Sequence, residues 1–348
     1  MSRDISMYAP IESPGSMLPG DMLSTLWTSE RREIASSTNA SVYVLDTKSI
    51  NPENGTTEAQ GEDLEKKPIE KVVVKEVFLE EDSDYDKIRQ EIETMKKCGS
   101  NPFIVSYYFD FPTLSSVSIG MEHCSHGDLF DRLYNAQEAM DEETKRTYIL
   151  EIVLALGHLH DLDIVHGDIK PENIGIGKDN HIRLLDFGMS VILSEGDYNP
   201  ATGNLERVTT GGTLTYCAPE KLRRRPHGVE IDWWSVGVLI YEMFALELPW
   251  YHEREAVTCQ MIQTHPLPPL HQFGASRCVY DLVNGLLQKD KDDRLCNQTD
   301  ILCHMFFSWV FSPSPTTNTV RTRTGRRLRI KSKSRIERIP KPAGEANE

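Results

Sequence analysis

The sequence predicts an α+β protein in which a small strand-rich part precedes a larger helical part. Short runs of β-branched and apolar residues, ASVYVL at 40–45, KVVVKEVFL at 71–79 and VSIGMEHC at 117–124, are typical of strands. After residue 126 the apolar residues recur at helical spacing, as in EETKRTYILEIVLALGHLH at 142–160. A chain of 348 residues with 39% hydrophobic residues is long enough for two such parts.

Two further helices are predicted from their apolar residues. YDKIRQEIETMKKCG at 85–99 places Ile88, Ile92 and Met95 on one face and has a glycine at its end. DWWSVGVLIYEMFAL at 232–246 is apolar on nearly all sides, so we expect it to be buried.

Three segments lack a regular apolar pattern. They are a disordered arm at 1–25, a polar, turn-rich insertion at 46–70 that we expect to be mobile, and a basic flexible tail at 311–348.

Composition excludes several protein classes. The seven cysteines include no CxxC pair and are odd in number, which argues against a disulfide framework or a zinc site and for a reducing compartment. The sequence contains no run of 18 apolar residues and no apolar stretch near its start. We therefore expect no membrane association and no secretion, and a cytoplasmic and/or nuclear location.

The net charge of −15 is unevenly distributed. Residues 321–348 contain ten Lys/Arg and three Asp/Glu, so the rest of the chain is strongly acidic. This division favours a cationic partner for the body and an anionic partner for the tail.

The strongest chemical signal is VHGDIKPENI at 165–174, followed by LLDFG at 184–188. Phosphoryl transfer spreads negative charge over the transferred oxygens, so its catalysts combine metal ions, a lysine and a carboxylate that receives the hydroxyl proton. Asp168 is the candidate for that carboxylate, and Asn173 and Asp186 offer oxygen ligands for Mg²⁺. Each residue taken singly is also consistent with a solvated surface group.

The same residues match the protein-kinase pattern H-x-D-x-x-x-x-N followed by D-F-G. Four more stretches match in the order of that family: VVVK with Lys75, RQEIETM with Glu91, CAPE with Glu220, and DWWSVG with Asp232. The sequence therefore resembles the protein kinase family over roughly residues 30–310.

The resemblance implies a bilobal kinase domain at 26–310, with ATP and Mg²⁺ as cofactors. A small β-rich N-lobe is expected at about 26–121, with the insertion inside it, and a larger α-helical C-lobe at about 125–310.

The resemblance also implies specific contacts. Lys75 is expected on the phosphates with Glu91 as its partner, Glu220 should pair with Arg294 in KDDRL, and Asp232 should brace the backbone of the 165–174 loop.

In the family, MEHCSHGDLF forms the hinge, with Met121 as gatekeeper and Glu122 to Cys124 facing adenine. Val42 and Val73 are expected to cover the adenine, and Asp128 to reach the ribose. The site residues that the resemblance implies are therefore Ala35, Ser37, Ala40, Val42, Val73, Lys75, Glu91, Met121, Glu122, Cys124 and Asp128 for the nucleotide, Asn173 and Asp186 for the metal, and Asp168 and Lys170 for catalysis.

The glycine-rich loop of the family is missing. Ala35, Ser37 and Ala40 occupy the three glycine positions in IASSTNASVYV, and a Cβ excludes the positive-φ conformations open to glycine. We expect a stiffer loop and weaker ATP binding. The alternative is that this loop no longer binds nucleotide.

Gly167 stands where most family members have arginine, the usual partner of a phosphorylated loop between Asp186 and Glu220. A phosphate on Thr209 would lack that cation. We therefore expect activity that does not depend on phosphorylation of Thr209 or Thr210.

Lys170 and Thr213 are typical of serine/threonine kinases, and GTLTYCAPE and DWWSVGVLIYEM lean towards the AGC group. The expected function is ATP-dependent phosphoryl transfer to serine or threonine of protein substrates. The alternatives are a pseudokinase scaffold, and a kinase body that regulates nucleic-acid binding by the tail. Because residues 321–348 of the tail contain no aromatic side chain that could stack on bases, we do not expect a nucleic-acid partner.

Asp128, Glu172 and Glu242 fall where basophilic relatives bind arginine, which favours a substrate with arginine upstream of the phosphorylated residue. Individually, these residues are also explained as a ribose ligand, a surface charge and a structural residue. The tail carries Thr324 and Ser332, each three residues after an arginine, which favours an intramolecular contact of the tail. A localisation signal explains the same residues equally well.

Overall fold

The computed structural model describes residues 31–37, 39–46, 71–79, 82–309, 319–321, 327–330 and 336–338. The predicted arm, the insertion beyond residue 46, and Thr324 and Ser332 of the tail lie outside the described residues.

The chain divides into two compact units. The first contains the chain up to Gly127 together with Ile176–Gly188, and the second contains Asp128–Gly175 and the chain from Met189 onward. Thus residues 176–188, which include Asp186, belong to the strand-rich unit although they follow the first helices of the second.

An antiparallel five-stranded sheet in the order β1-β2-β3-β5-β4 forms the first unit. The strands predicted near residues 40, 71 and 117 are confirmed. The strands are β1 (Arg31–Ser36), β2 (Ala40–Asp46), β3 (Lys71–Phe78), β4 (Tyr107–Pro112) and β5 (Ser116–Glu122).

Helix α1 (Asp82–Cys98) belongs to the same unit. Its predicted apolar face is confirmed, because Ile88, Ile92 and Met95 are all buried. The helix is followed by Gly99, whose φ of +61° is the left-handed conformation in which many helices end.

Helices form most of the second unit. They are α2 (Leu129–Tyr134), α3 (Glu142–His160), α4 (Pro219–Leu222), α5 (Glu230–Ala245), α6 (Glu255–Thr264), α7 (Arg277–Leu286) and α8 (Gln298–Cys303). None of the described helices is long and apolar enough to cross a bilayer.

The remaining strands are short. β6 (Ile164–Val165) pairs with β9 (Val191–Ile192), and β10 (Tyr198–Asn199) pairs with β11 (Asn204–Leu205). β7 (Ile174–Ile176) and β8 (Ile182–Leu184) lead the chain back into the first unit.

Three short strands lie within the predicted tail. β12 (Thr319–Arg321), β13 (Arg327–Ile330) and β14 (Ile336–Arg338) form a small antiparallel sheet.

Helices α3 and α5 form the core of the second unit, as their composition predicts. Helix α3 begins at Asp141, whose carboxylate accepts a hydrogen bond from the backbone N–H of Thr144, an N-cap that satisfies a free donor of the first turn. In α5, every residue from Ile231 to Met243 is buried, which confirms the buried helix.

A buried ion pair joins α4 to the chain after α7. Arg294 donates two hydrogen bonds to Glu220, at 2.6 and 2.9 Å, and only 4% and 6% of these two residues are exposed. Arg294 also donates to the backbone oxygens of Gln288 and Glu230. This is the pairing of Glu220 with Arg294 that the resemblance implies, and it fixes the start of α4.

We predict that Arg294→Met destabilises the protein by about 3–5 kcal/mol, because it leaves the Glu220 carboxylate buried without a cation. The measurement is urea unfolding followed by tryptophan fluorescence. The matched control is Arg277→Met, since the Arg277 side chain is 92% exposed and lies 3.7 Å from Asp281, and such a pair contributes about 0–1 kcal/mol. Equal stabilities of the two variants would contradict the prediction.

Candidate active site

Strand register gathers several predicted nucleotide residues on one face of the sheet. Ala35 pairs with Val42, Val42 with Lys75, and Val73 with Met121. Directly paired residues project to the same face, and so do residues two apart on one strand. The face therefore presents Ala35, Ala40, Val42, Val73, Lys75 and Met121.

Lys75 is held between two carboxylates of the first unit. Its Nζ lies 2.7 Å from Oε1 of Glu91 and 3.0 Å from Oδ1 of Asp186. Burial opposes the charge on Lys75, but the two carboxylates outweigh it and raise the lysine pKa above its ordinary value. Lys75 is therefore a permanent cation whose position is set by α1 and by the residues after β8.

Asp186 has an unusual backbone conformation and an open side chain. Its φ is +57°, a left-handed conformation that is uncommon outside glycine and recurs at functional sites. The side chain is 47% exposed, whereas the neighbouring Phe187 is buried. Burial of Phe187 thus anchors a segment in which Asp186 stays accessible to a ligand.

The turn between β1 and β2 does not use the conformations that glycine would provide. None of Ala35, Ser37 and Ala40 has a positive φ. The turn is closed by Ser37, whose N–H donates to the Ala40 carbonyl at 2.8 Å and whose hydroxyl accepts from the Ala40 N–H at 3.2 Å. Serine and alanine are therefore compatible with a regular hairpin here.

The predicted hinge residues are engaged within the first unit. The Glu122 carboxylate accepts from Nε of Arg183 at 2.9 Å and from the Ser106 hydroxyl at 3.1 Å. The Glu122 side chain is therefore engaged within the first unit, which leaves its backbone for the predicted hinge role. Burial raises the pKa of the Cys124 thiol to about 12, so this cysteine stays protonated.

In the second unit, Asp168 is the centre of a hydrogen-bond network. Its carboxylate lies 2.9 Å from Nζ of Lys170 and accepts from the Thr213 N–H at 2.7 Å. Lys170 also donates to the Thr213 hydroxyl at 2.9 Å, so Thr213 contacts both members of the Asp168–Lys170 pair. Burial raises the pKa of Asp168, but Lys170 and Thr213 outweigh it, and the net pKa is lowered. Asp168 is therefore ionised at neutral pH.

Asn173 turns its amide nitrogen towards Asp168. Nδ2 donates to the backbone oxygen and to the carboxylate of Asp168, at 2.8 and 3.1 Å. Its amide oxygen accepts no hydrogen bond from the described residues. That oxygen is the atom with which an asparagine ligates a hard cation.

The carboxylate of Asp232 in α5 fixes the backbone of the 165–174 loop. This carboxylate has no exposed surface, and it accepts from the backbone N–H of His166 at 2.9 Å and of Gly167 at 2.8 Å. Burial raises the pKa of Asp232, but His160 and the loop N–H groups outweigh it and lower the pKa. The bracing expected from the sequence is present.

The three acidic residues proposed to bind arginine differ in their environment. Asp128 is half-buried and caps α2, and Glu172 is exposed. Glu242 is buried and accepts hydrogen bonds from the hydroxyls of Tyr134 and Tyr216. For Glu242, the structural alternative is therefore the correct one.

Sequence reasoning missed the contacts of Thr209. His227 is buried and its Nδ1 lies 2.8 Å from the Arg225 carbonyl, which accepts, so Nδ1 carries the proton. Nε2 then accepts from the Thr209 hydroxyl at 2.7 Å. Burial and the nearby charge of Lys221 lower the pKa of His227, which keeps it in this neutral form. An isolated histidine in the sequence gives no signal for such a contact.

Comparison with known proteins agrees with this geometry. The family model described as protein kinase domain matches residues 62–307. The match begins after β2, so the hairpin that replaces the glycine-rich loop lies outside it.

Curated relatives are similar over most of the chain. A probable serine/threonine-protein kinase of Dictyostelium discoideum is 34% identical over 220 residues, 62% of this chain and 46% of that protein. Serine/threonine-protein kinase Sgk1 of Homo sapiens is 33% identical over 243 residues, 69% of this chain and 54% of that protein. The Danio rerio Sgk1 is 34% identical over 241 residues, 68% and 53% of the two chains. The chain spans about half the length of these relatives.

Proposed function

Since this chain belongs to the protein kinase domain family, we propose that it transfers a phosphoryl group from ATP to serine or threonine side chains of proteins. The observation that carries the proposal is the network of Asp168, Lys170, Thr213 and Asn173. An ionised carboxylate, a cation bound to it and an open amide oxygen are the groups that this reaction needs.

Asp168 receives or orients the proton of the substrate hydroxyl in this proposal. A general base must be ionised at the working pH, and the lowered pKa of Asp168 fulfils this condition. Lys170 lies 2.9 Å from the Asp168 carboxylate and balances the negative charge that accumulates on the transferred group.

The residues present also fit Mg²⁺ and ATP. In the first unit, Lys75 would hold the phosphates and the exposed Asp186 carboxylate would ligate Mg²⁺. In the second unit, the Asn173 amide oxygen, which accepts no hydrogen bond within the described part of the chain, would offer a further Mg²⁺ ligand. No group of three or more His, Cys, Asp or Glu is placed to hold a metal among the described residues. Mg²⁺ commonly binds through one or two carboxylates and the substrate phosphates, so the small donor set is compatible with it. Bound Mg²⁺ neutralises charge on the phosphates.

We further propose that this activity does not require phosphorylation of Thr209. The 189–220 segment is already held by Thr209 and Arg207, since Arg207 exchanges two backbone hydrogen bonds with His227 at 2.8 and 3.1 Å. The Arg207 side chain donates to both oxygens of Asp197 at 2.7 and 2.8 Å. These contacts hold the 189–220 segment in place without a phosphate on Thr209.

We propose that the carboxylates of Asp128 and Glu172 bind an arginine of the substrate, upstream of the phosphorylated residue. Burial and the negative charges of Asp131 and Glu172 raise the pKa of Asp128, and Glu172 likewise adds to the burial that raises the pKa of Glu242. The charge of Glu172 thus acts on both neighbours, and a guanidinium group would relieve the repulsion.

The first prediction tests the reaction and separates it from the pseudokinase alternative. Asp168→Asn should lower kcat by about 10²–10⁴-fold, because it removes the general base, while leaving the affinity for Mg·ATP nearly unchanged. The measurements are phosphate transfer to a mixed peptide library and titration calorimetry with an ATP analogue. Asp293→Asn, an exposed site, is the matched control. An inactive wild-type protein, or an Asp168→Asn variant with wild-type turnover, would refute the assignment.

The second prediction concerns Thr209. The double variant Thr209→Ala with Thr210→Ala loses the hydroxyl that donates to His227, a bond worth about 1 kcal/mol, so kcat should remain within about fivefold of the wild type. Phosphatase-treated wild type, checked by intact mass, should retain its rate. A folded double variant without activity would show that phosphorylation is needed.

The third prediction concerns arginine recognition. Asp128→Asn combined with Glu172→Gln removes both charges but keeps the α2 cap, since asparagine is a good N-cap residue. We expect kcat/KM for a peptide with upstream arginine to fall by roughly tenfold or more, and kcat/KM for the same peptide with glutamine instead to be unaffected. An arginine preference that survives both substitutions would exclude these residues.

A further inference from the structure

A side chain at Gly167, where arginine is common in the family, would be strained. Its φ is +80°, a conformation that L side chains rarely adopt. A Cβ built there would lie 2.8 Å from the backbone oxygen of Met189, closer than real Cβ contacts. The 165–174 loop therefore approaches the start of the 189–220 segment through backbone alone.

A different cation occupies this neighbourhood. Lys221 of α4 is only 7% exposed, which is rare for lysine. Its Nζ donates to the Gly167 backbone oxygen at 2.8 Å. No carboxylate lies within ion-pair distance of this ammonium among the described residues. Two of its three N–H groups therefore have no partner in the described part of the chain.

Lys221 also meets the segment that supports Asp168. A Cβ on Gly212 would lie 2.9 Å from the Gly167 oxygen, 3.1 Å from Nζ of Lys221 and 3.5 Å from Oδ1 of Asp168. Only a glycine fits between these three atoms, and its φ of +82° agrees with that requirement. The next residue is Thr213, whose N–H donates to Asp168 at 2.7 Å.

We infer that Lys221 is a positioning residue for the reaction proposed above, and that its buried ammonium joins the 165–174 loop to residues 211–213 in place of an arginine–phosphate contact. The inference rests on the proposed function for its catalytic consequence. The contact itself depends only on Lys221, Gly167 and Gly212.

This arrangement determines where Asp168 sits. Helix α4 is immobilised by the buried pair of Glu220 with Arg294, so the ammonium of the adjacent Lys221 is a fixed point. A fixed donor on the Gly167 oxygen restrains the residue directly before Asp168. Gly212 packs close to the same ammonium and directly precedes Thr213, whose N–H donates to the Asp168 carboxylate.

The test compares wild type, Lys221→Met and Lys178→Met, the last removing an exposed lysine of the first unit. Hydrogen–deuterium exchange should be roughly tenfold faster in peptides covering 211–216 of Lys221→Met. Peptides of α3 should exchange as in the wild type. In the kinase assay, kcat should fall by roughly tenfold to a hundredfold, because a small misplacement of the base has such an effect, with KM for ATP unchanged. Lys178→Met should match the wild type in every measurement.

Wild-type exchange at 211–216 together with wild-type kcat in Lys221→Met would overturn the inference. Faster exchange throughout the second unit would also overturn it, since that result describes a purely structural lysine. If Lys221→Met does not fold, Lys221→Gln, which keeps a donor without the charge, is measured instead with the same expected outcome. A wild type without phosphate transfer would refute the proposed function, and the exchange measurement would then decide the Lys221 contact by itself.

Discussion

The position of Asp168 depends on the hydrogen bonds between the buried Asp232 carboxylate and the backbone of the 165–174 loop. This carboxylate is wholly buried and is compensated by two backbone N–H groups of the 165–174 loop and by His160. A buried carboxylate without such donors would cost several kcal/mol, so the loop backbone cannot move away without a large penalty. Asp168 follows Gly167 directly. The Asp232 carboxylate, which is buried, therefore restrains the position of Asp168 through the backbone of Gly167.

In the first unit the charges are reversed, because a cation is held in place by carboxylates. Lys75 is the charge held in place, and Glu91 and Asp186 hold it from two segments that are far apart in sequence. Glu91 is buried, while Asp186 is half exposed. One carboxylate therefore orders the lysine, and the other remains available to a ligand. In both units a reactive group is positioned by buried neighbours rather than by its own packing.

Local patterns predicted the secondary structure well, because the apolar spacing of 85–99 and 142–160 and the β-branched runs agree with the packing that the chain adopts. The pairing of Glu220 with Arg294, 74 residues apart, was expected only through family resemblance, since no periodicity connects the two. The contacts of Glu242 with Tyr134 and Tyr216 were not predictable. They depend on tertiary proximity, and a glutamate in an apolar helix reads equally well as a site residue.

At Gly167 the absence of a side chain changes which cation contacts the 165–174 loop. From the sequence alone, Gly167 is simply a position at which the arginine common in the family is absent. In the structure its positive φ and its approach to Met189 mean that a side chain at this position would be strained. A long arginine that waits for a phosphate is a switchable contact. A buried lysine on a fixed helix cannot be switched by adding or removing a phosphate, because its partner is a backbone oxygen. Close backbone packing around Lys221 is therefore consistent with the proposed independence of activity from phosphorylation of Thr209.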